Sequence, residues 1–515
     1  MEYQPVTAVW EITFACNMRC KHCGSSCNTS KPDELSPEEA LKVCDQIAEL
    51  KIKYITLSGG EPLLRKDWFK LAKRLSDNGV KPNMITNGWL LTETEIKNAK
   101  ESGISNIAIS LDGVKETHDF LRMKGSYDRI ISSLQLLKKN NIPSSIITTI
   151  NKKNLHELPE LYEILKSNNV KNWQLQYAMP MGNLTQNSDL VIEPSEIDTI
   201  LDYLLKFSNE NIIRIDLADC VGYYNDKELE IRSHNMGKPE DHFWTGCPAG
   251  KHVFGIRYNG DVVGCTSLRD DDFIEDNVRN RSLTEIWNDL ESFSWNRNLT
   301  KKELTGFCAN CQYGSYCLAG CSVLKFTTGK KLKENQYCTY KVAVDNDCNE
   351  IRNIKDNKKL LELSIEAISE ENYQFADACL NSIYECDQKN IDVLNHLGFV
   401  NYKLENFEKS LKFNEQVLNI DPKNAYALKG KGICLASTGI VQEGINYLEK
   451  AIEYADKNFL DPYYDLSLVY YNCNEFRKAK DVLVEGRKKS KKFKESSDEL
   501  YNLIEKELLF HTSEG

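Results

Sequence analysis

Residues 9–23 of the chain read VWEITFACNMRCKHC, an apolar run that leads directly into three closely spaced cysteines. The run has the composition of a buried strand. Cys16, Cys20 and Cys23 follow a C-x3-C-x2-C spacing, which suits three irons of a cubane [4Fe–4S] cluster. Ordinary electron-transfer clusters use four cysteines. The fourth iron is left without a protein ligand, which predicts that another molecule binds it.

A zinc site is the alternative interpretation of this triplet. Zinc sites usually need a second pair of ligands, and His22 or Cys27 is available to supply part of one. The sequence farther along the chain favours the cluster.

Further apolar runs alternate with amphipathic helical stretches over the first half of the chain. The runs after the first are Tyr54–Leu57, Met84–Thr86, Ile107–Leu111, Ser145–Ile150 and Trp173–Tyr177. Six β-α units over about 200 residues predict a parallel sheet. Active sites of such sheets lie at the carboxyl ends of the strands, and the cysteine triplet follows the first strand.

Three of these runs end in polar motifs. The second ends in SGGEP (residues 58–62), the third in TNG (residues 86–88) and the fourth in SLDG (residues 110–113), which is followed by His118, Asp119 and Arg122. With the triplet, these motifs resemble the radical S-adenosylmethionine (SAM) superfamily, whose fold is a partial (β/α)6 barrel.

The resemblance implies that the open iron chelates the amino and carboxylate groups of SAM. It assigns SAM contacts to Gly59, Gly60, Glu61, Asn87, Ser110 and Arg122. The GGE segment would hold the amino group, and Ser110 and Arg122 the ribose and the carboxylate. The alternatives are a Gly-Gly turn stopped by Pro62, a surface ion pair for Arg122, and a helix cap at His118 and Asp119.

A second set of cysteines lies beyond residue 236. Its members are Cys247, Cys265, Cys308, Cys311, Cys317, Cys321 and Cys338. Their spacing is similar to the seven-cysteine SPASM pattern of radical SAM maturases of peptides and small proteins. By that resemblance, Cys308, Cys311, Cys317 and Cys338 hold one auxiliary [4Fe–4S] cluster, and Cys247, Cys265 and Cys321 hold the other. The alternative for residues 308–321 is a zinc ribbon.

The second auxiliary cluster has only three assigned ligands. The sulfatase-maturase branch has an eighth cysteine shortly after the first, whereas residues 248–264 contain none. Either Cys27, Cys220 or Cys348 completes the site, or one iron is open to a substrate thiolate, a soft ligand that suits iron. Within the same region, residues 258–263 predict a β-hairpin around an Asn-Gly turn.

From about residue 355 the sequence has a helical pattern with a 34-residue period. Leu394 and Gly398, for example, recur as Leu428 and Gly432. The pattern resembles tetratricopeptide (TPR) repeats, with Lys431 at a usually apolar position. Such repeats stack into a surface that often binds peptides, and the alternative is a structural or dimerising appendage. Only a short tail precedes the barrel, so we expect the repeats to hold the peptide or protein substrate, or its leader.

We therefore predict an α/β protein with three domains. These are a radical SAM barrel at residues 1–235, a small cluster-bound SPASM domain at residues 236–350, and an all-α TPR-like solenoid at residues 351–515.

The composition excludes several other classes of protein. A net charge of −11 does not indicate a nucleic-acid-binding protein. No apolar run reaches about 18 residues, so the sequence predicts no membrane span. The first residues lack a secretory signal. Twelve of the eighteen cysteines cluster at residues 16–27 and 247–348, as metal ligands do, and the other six are scattered. This pattern is not that of a disulfide framework, which predicts a cytoplasmic protein.

The resemblance implies SAM and three [4Fe–4S] clusters, one binding SAM and two auxiliary. A low-potential donor of the ferredoxin or flavodoxin type would drive reductive cleavage of SAM to methionine and a 5′-deoxyadenosyl radical under anaerobic conditions. The radical would abstract hydrogen from a peptide substrate and form a thioether or carbon–carbon cross-link, or an oxidised side chain, as in the maturation of ribosomally made peptides. The alternatives are a small-molecule enzyme of the tetrapyrrole or heme type and a non-catalytic iron–sulfur scaffold.

Overall fold

The computed structural model describes residues 3–236, 244–329 and 332–512. The chain divides into two units, Met1–Ala309 with Tyr313–Ala343 and Asn310–Gln312 with Val344–Gly515. The domain boundaries after residues 235 and 350 remain predictions from the sequence.

A single sheet forms the centre of the first unit. Its strands are β1 (Thr7–Glu11), β2 (Tyr54–Ser58), β3 (Lys81–Thr86), β4 (Asn106–Ser110), β5 (Ser144–Ile150), β6 (Asn172–Tyr177), β7 (Arg214–Leu217), β8 (Val253–Ile256), β9 (Asp261–Val263) and β10 (Ile274–Asn277). Across the described residues their order is β10-β9-β8-β1-β2-β3-β4-β5-β6-β7. Strands β1 to β7 are parallel, each beside the next in the chain. This is the parallel α/β fold that the sequence predicts.

The predicted strands differ from the observed ones in two places. Strand β1 ends at Glu11 instead of Phe14, because the Phe14 N–H donates to Glu34 Oε1 (2.8 Å) and leaves the ladder. Strand β7 was not predicted. It has only four residues, and Arg214 and Asp216 interrupt its apolar pattern.

Helices connect and cover the strands of the first unit. They are α1 (Pro37–Glu49), α2 (Trp68–Asp77), α3 (Glu93–Glu101), α4 (Lys115–Leu121), α5 (Ser126–Lys139), α6 (Leu158–Ser167), α7 (Ile197–Asn209), α8 (Asp226–Met236), α9 (Leu283–Asn288), α10 (Ser294–Arg297), α11 (Gly306–Ala309), α12 (Gly314–Cys317) and α13 (Ser322–Thr327). Helix α14 (Thr339–Ile351) spans the division between the units.

Helix α1 shows how the sequence sets these crossovers. Ser36 and Glu39 form a reciprocal capping box ahead of Pro37, which satisfies two backbone donors at the helix start. Its buried face includes Val43 and Cys44, which pack into the core with the residues of β1. Cys44 therefore serves as a small apolar core residue.

The predicted hairpin at residues 258–263 is present as β8 and β9. Gly260 closes its turn with φ +92°, a conformation that favours glycine. Strand β8 also pairs in parallel with β1, with Val253 opposite Thr7. The region that carries the second cysteine set is therefore placed beside the strand that leads into the first triplet.

The second unit is all helical. Its helices are α15 (Asn357–Ser369), α16 (Tyr373–Cys386), α17 (Ile391–Lys403), α18 (Phe407–Ile420), α19 (Ala425–Ser437), α20 (Val441–Tyr454), α21 (Asp461–Asn472), α22 (Phe476–Lys489), α23 (Lys491–Ser496) and α24 (Asp498–Thr512). Helices α15, α17 and α19 begin at residues 357, 391 and 425, a step of 34 residues. This confirms the predicted helical-repeat architecture.

Small residues bring paired helices together, as the repeat pattern predicts. A Cβ atom on Gly432 of α19 would lie 2.9 Å from the carbonyl oxygen of Gly444 on α20. Lys431 takes the unusual position by laying its ammonium 4.7 Å from the Tyr447 ring centroid and 2.9 Å from Glu415. Its stem fills apolar space while its charge stays paired.

Among the described residues, no helix is both long and apolar enough to span a membrane.

Candidate active site at the carboxyl ends of the strands

A cavity of about 730 Å³ opens at the carboxyl ends of the parallel strands in the first unit. Residues at or next to these ends line it: Ser58, Thr86, Ser110, Thr149, Tyr177 and Leu217. This is the edge at which α/β sheets place their ligand sites.

The first cysteine triplet lines this cavity. Cys16, Cys20 and Cys23 lie on the loop after β1, and the Cys16 N–H donates to the Asn28 carbonyl (2.7 Å). Burial raises the pKa of Cys16, and it raises the pKa of Cys20 to about 11. Because such thiols stay protonated at neutral pH, they become thiolates only when a bound cation replaces the protons.

The paired glycines of the GGE segment meet the cysteine loop. The Gly60 N–H donates to the Thr13 carbonyl (2.9 Å) and the Glu61 N–H to the Ala15 carbonyl (2.7 Å). A Cβ atom on Gly60 would stand 2.1 Å from that Ala15 oxygen. Gly59 and Gly60 both line the cavity, so the glycines bring β2 against the triplet and also face the ligand space.

Glu61 does not face the cavity. Its side chain is fully buried and accepts hydrogen bonds from Thr86 Oγ1 (2.7 Å) and the Asn87 N–H (2.8 Å). Burial raises the pKa of Glu61 to about 7. The carboxyl group joins the ends of β2 and β3. Asn87 does line the cavity and donates to Asn17 Oδ1 (2.8 Å) on the cysteine loop.

Arg122 lies inside the protein and is not a surface ion pair. Its Nε pairs with Asp112, and its Nη1 lies 3.8 Å from Cys20 Sγ. His22 Nε2 is 3.1 Å from the same Asp112 carboxylate. Burial acts to raise the pKa of Asp112, but Arg122 and His22 outweigh it and hold the pKa below its ordinary value. Ser110 and Arg122 both line the cavity.

The segment after Arg122 supports the capping interpretation for Asp119. Its carboxylate accepts from the Gly125 N–H (2.6 Å) and the Tyr127 N–H (2.9 Å), at the start of α5. His118 is buried, and its Nδ1 accepts from the Asp112 N–H (3.1 Å).

A second group of thiols lines the same cavity. Its members are Cys247, Cys265 and Cys321, together with Cys27 and Cys220. Burial raises the pKa of Cys265 to about 11 and that of Cys321 well above its ordinary value. The structure therefore brings cysteines more than 200 residues apart in the sequence to the wall of one cavity.

The remaining predicted ligands lie away from this cavity. Cys308, Cys317 and Cys338 are buried in the first unit, and Cys311 is buried in the second. Cys308 Sγ accepts from the Asn335 N–H (3.5 Å). In the part of the chain that the structure describes, no three Cys, His, Asp or Glu side chains converge on a single metal ion.

Sequence reasoning missed several charged residues of the site. Asp219 lines the cavity just beyond β7, and Arg269, paired with the buried Glu11, lines it beyond β9. A charged Glu11 within an apolar strand was the one available signal for the Arg269 pair. Asp219 follows a strand too short to be recognised.

Comparison with known families gives two matches. The profile of the Radical SAM superfamily matches residues 10–165. The SPASM profile, an iron–sulfur cluster-binding domain, matches residues 247–312.

Characterised relatives include enzymes that act on different substrates. An AdoMet-dependent heme synthase from Methanosarcina barkeri is 30% identical over 355 residues, covering 66% of this chain and 98% of that protein. The mycofactocin maturase MftC from Mycolicibacterium smegmatis is 27% identical over 331 residues, covering 64% of this chain and 81% of that protein.

Solved structures share the fold. Streptococcus suis SuiB bound to S-adenosylmethionine has a TM-score of 0.53 at 16% identity, covering 65% of this chain and 76% of that one. Native anSMEcpe with bound AdoMet has a TM-score of 0.53 at 19% identity, covering 68% of this chain and 100% of that one.

Proposed function

Because the chain belongs to the radical SAM superfamily and carries a SPASM domain, we propose that it modifies a side chain of a peptide or protein by radical chemistry. Membership implies SAM and iron–sulfur clusters as cofactors. When bound, they supply a 5′-deoxyadenosyl radical that abstracts a hydrogen atom from carbon.

The thiol groups fit such clusters. Cys16, Cys20 and Cys23 would hold the cluster that binds SAM, with Gly59, Gly60, Asn87, Ser110 and Arg122 around the SAM molecule. Cys247, Cys265 and Cys321 would hold one auxiliary cluster, and Cys308, Cys311, Cys317 and Cys338 the other. Each donor set consists of soft sulfur ligands, which iron–sulfur clusters require. Glu61 would act indirectly, by fixing the strand ends.

The observation that carries the choice of substrate is the charge of the cavity wall. Arg122 and Arg269 line the cavity, and both are already paired with buried carboxylates. Among the described lining residues there is no lysine and no unpaired arginine. A tetrapyrrole carries propionate groups that need cationic partners when they are buried, whereas most peptide side chains make no such demand.

Asp219 adds to this argument. Asp219 lines the cavity, and burial raises its pKa. An anionic substrate would meet a like charge there. For a neutral side chain that is oxidised in the reaction, Asp219 is placed to accept the proton that leaves; a bound auxiliary cluster would supply electron-accepting chemistry.

The helical repeat supports a peptide or protein substrate. The heme synthase relative is matched over 98% of its length by 66% of this chain, so a third of this chain lies outside that match. Repeats of paired helices often present surfaces that bind peptides. We assign the substrate, or its leader, to the second unit.

The second unit offers a groove of about 450 Å³ formed by α18, α19 and α20. Leu418 and Leu428 supply apolar surface, and Tyr447 and Tyr454 supply aromatic rings. Lys450 adds a cation 5.5 Å from the Tyr447 ring centroid. Rigid aromatic side chains beside apolar surface are typical anchors for a peptide.

The test is an anaerobic reaction of the reconstituted enzyme with SAM and a low-potential reductant. Peptides encoded beside the gene and iron coproporphyrin III are compared as substrates. We expect 5′-deoxyadenosine formation to rise with a peptide, together with loss of two hydrogens from its mass. Conversion of the tetrapyrrole with every peptide unchanged would favour the small-molecule alternative. Absence of 5′-deoxyadenosine in all reactions would favour the scaffold.

A further inference from the structure

The auxiliary thiols Cys247, Cys265 and Cys321 share the cavity wall with a fourth thiol, Cys220. Cys220 lies three residues beyond the end of β7, at the carboxyl edge of the sheet. A four-cysteine cluster needs one more ligand than the resemblance assigns here. Cys220 is therefore the first residue to consider.

A buried hydrogen-bond bridge attaches the Cys220 segment to the Cys321 segment. The Tyr223 hydroxyl donates to the Asp219 carbonyl and accepts from the Cys321 N–H (3.0 Å). Tyr223 is fully buried. Because a buried hydroxyl with both partners has one favoured arrangement, the peptide that carries Cys220 is held at the Cys321 backbone.

Contacts on the far side of this segment reinforce the bridge. The Thr339 N–H donates to the Gly222 carbonyl (3.2 Å), and Thr339 Oγ1 donates to the Tyr223 carbonyl (3.0 Å). The loop after β7 is thus held by the cysteine-rich region as well as by the sheet.

The thiol of Cys220 is in the environment of a cluster ligand. The Tyr177 N–H points at Cys220 Sγ from 3.4 Å, and backbone N–H groups commonly tune cluster sulfurs in this way. Cys321 interacts electrostatically with Cys247, Cys220 and Cys265, so the four thiols are near one another.

The other two candidates lie elsewhere. Cys27 also lines the cavity, but the groups that interact with it are Glu11, Arg269 and two cysteines of the first triplet, Cys16 and Cys23. Cys348 lies on α14, beside Asp345 and Asp347, and does not line the cavity.

We propose that Cys220 is the fourth protein ligand of the auxiliary [4Fe–4S] cluster held by Cys247, Cys265 and Cys321. This rests on the iron–sulfur assignment of the proposed function. With four cysteine ligands the cluster would have no open iron for a substrate thiolate, and the chemistry it would supply is electron transfer. The ligand comes from the barrel, which accounts for the missing cysteine at residues 248–264.

The test uses the full-length chain with Cys16, Cys20 and Cys23 all changed to Ala, so that only auxiliary clusters remain. An iron that no protein side chain ligates is lost on mild ferricyanide oxidation, which leaves a [3Fe–4S] cluster with a distinct EPR signal. We expect no such signal from this parent protein. Adding Cys220→Ala should produce it, with loss of about one iron per chain.

Matched variants make the result specific. Cys27→Ala and Cys348→Ala in the same parent should give no signal. Cys220→Ser retains the side-chain volume and an oxygen ligand, so it should keep the iron and shift the EPR spectrum of the reduced cluster. This variant separates loss of a ligand from misfolding.

Three outcomes overturn the proposal. A [3Fe–4S] signal in the parent protein would show an open iron. A signal in Cys27→Ala or Cys348→Ala, or unchanged spectra in both Cys220 variants, would exclude Cys220. A parent protein that contains zinc and no iron after reconstitution would remove the auxiliary clusters, and with them that part of the proposed function.

Discussion

Arg122 places its Nη1 3.8 Å from Cys20 Sγ while its Nε is paired with Asp112. One guanidinium thus connects a predicted cluster ligand on the loop after β1 with a buried carboxylate at the end of β4. Asp112 Oδ1 accepts in turn from the Thr149 N–H of β5 (2.8 Å). The first triplet is therefore linked to the ends of the neighbouring strands β4 and β5 through one ion pair.

Replacing Arg122 should destabilise the protein strongly. Arg122→Leu leaves Asp112 buried with His22 as its remaining ion-pair partner, and breaking a buried pair typically costs about 3–5 kcal/mol. Urea unfolding of the metal-free chain measures the loss. The double variant Arg122→Leu with Asp112→Leu should recover part of it, because no uncompensated charge remains. Equal stability of the wild type and Arg122→Leu would contradict this account.

Adding a methyl group at Gly60 should reduce iron loading of the first cluster. The new Cβ would meet the Ala15 carbonyl at 2.1 Å and displace the loop that carries Cys16. Iron per chain after reconstitution is the measurement, with about four irons lost. Gly79→Ala is the control, because Gly79 has φ +84° and no atom near its Cβ position. It adds backbone strain only, and its iron content should stay at the wild-type value.

Changing Asp219 should uncouple SAM cleavage from product formation. Asp219→Asn cannot accept the proton that leaves the substrate, so 5′-deoxyadenosine should continue to form while product falls by about 100-fold. The ratio of product to 5′-deoxyadenosine reports this directly. Asp216→Asn is the matched control, since Asp216 also lines the cavity but is paired with Arg214 (2.8 Å). If the ratio is unchanged in Asp219→Asn, another group accepts the proton.

The groove of the second unit should control substrate affinity. Tyr447→Ala removes an aromatic anchor and should raise the KM for the peptide about tenfold. SAM cleavage without peptide should stay unchanged. Ile440→Ala, at an exposed position outside the groove, should leave KM as it is. Identical KM values in all three proteins would show that the repeats do not hold the substrate.

Deletion of the repeats after about residue 355 should also raise the KM for the peptide. Point variants test the groove more specifically. The Tyr373 N–H donates to Gln312 Oε1 (3.2 Å), and Gln374 Nε2 donates to the Asn310 carbonyl (2.8 Å). Deletion would remove these partners from both sides of Cys311. A loss of activity would then mix substrate binding with damage to a predicted cluster ligand.

Asp377 should make the stability of the helical unit depend on pH. Burial raises the pKa of Asp377, whose carboxylate accepts from Asn401 Nδ2 (2.9 Å). Because the folded pKa exceeds the unfolded one, the contribution is complete below the unfolded pKa and is lost as pH rises through the folded pKa.

Asp377→Asn should flatten this dependence. Urea unfolding of the full chain at a series of pH values, followed by circular dichroism, measures it. Glu385→Gln, on the exposed face of the same helix α16, should keep the wild-type slope. A wild-type protein that gains stability as the pH rises from the unfolded pKa through the folded pKa of Asp377 would contradict this account.

Residue type and spacing identified most of the candidate site. The carboxyl ends of parallel strands meet at one edge of a sheet, so motifs placed after predicted strands had to lie close together. Ser110, Asn87 and the first triplet follow this rule. Glu61 does not face the cavity, because its carboxyl group is buried against Thr86 at the end of β3. A sequence motif does not show in which direction a side chain points.

The local sequence indicated the radical SAM family through cysteine spacing and paired glycines, and the helical repeats through a 34-residue period. Only the tertiary structure decided which thiols share a cavity. The arrangement of the thiols depends on the pairing of β8 with β1 across more than 200 residues. It also depends on the four-residue strand β7, which places Asp219 and Cys220 at the same edge of the sheet. Long-range pairing and short, charged strands leave no periodic signal in the sequence, because they are stabilised by contacts that form only in the folded sheet.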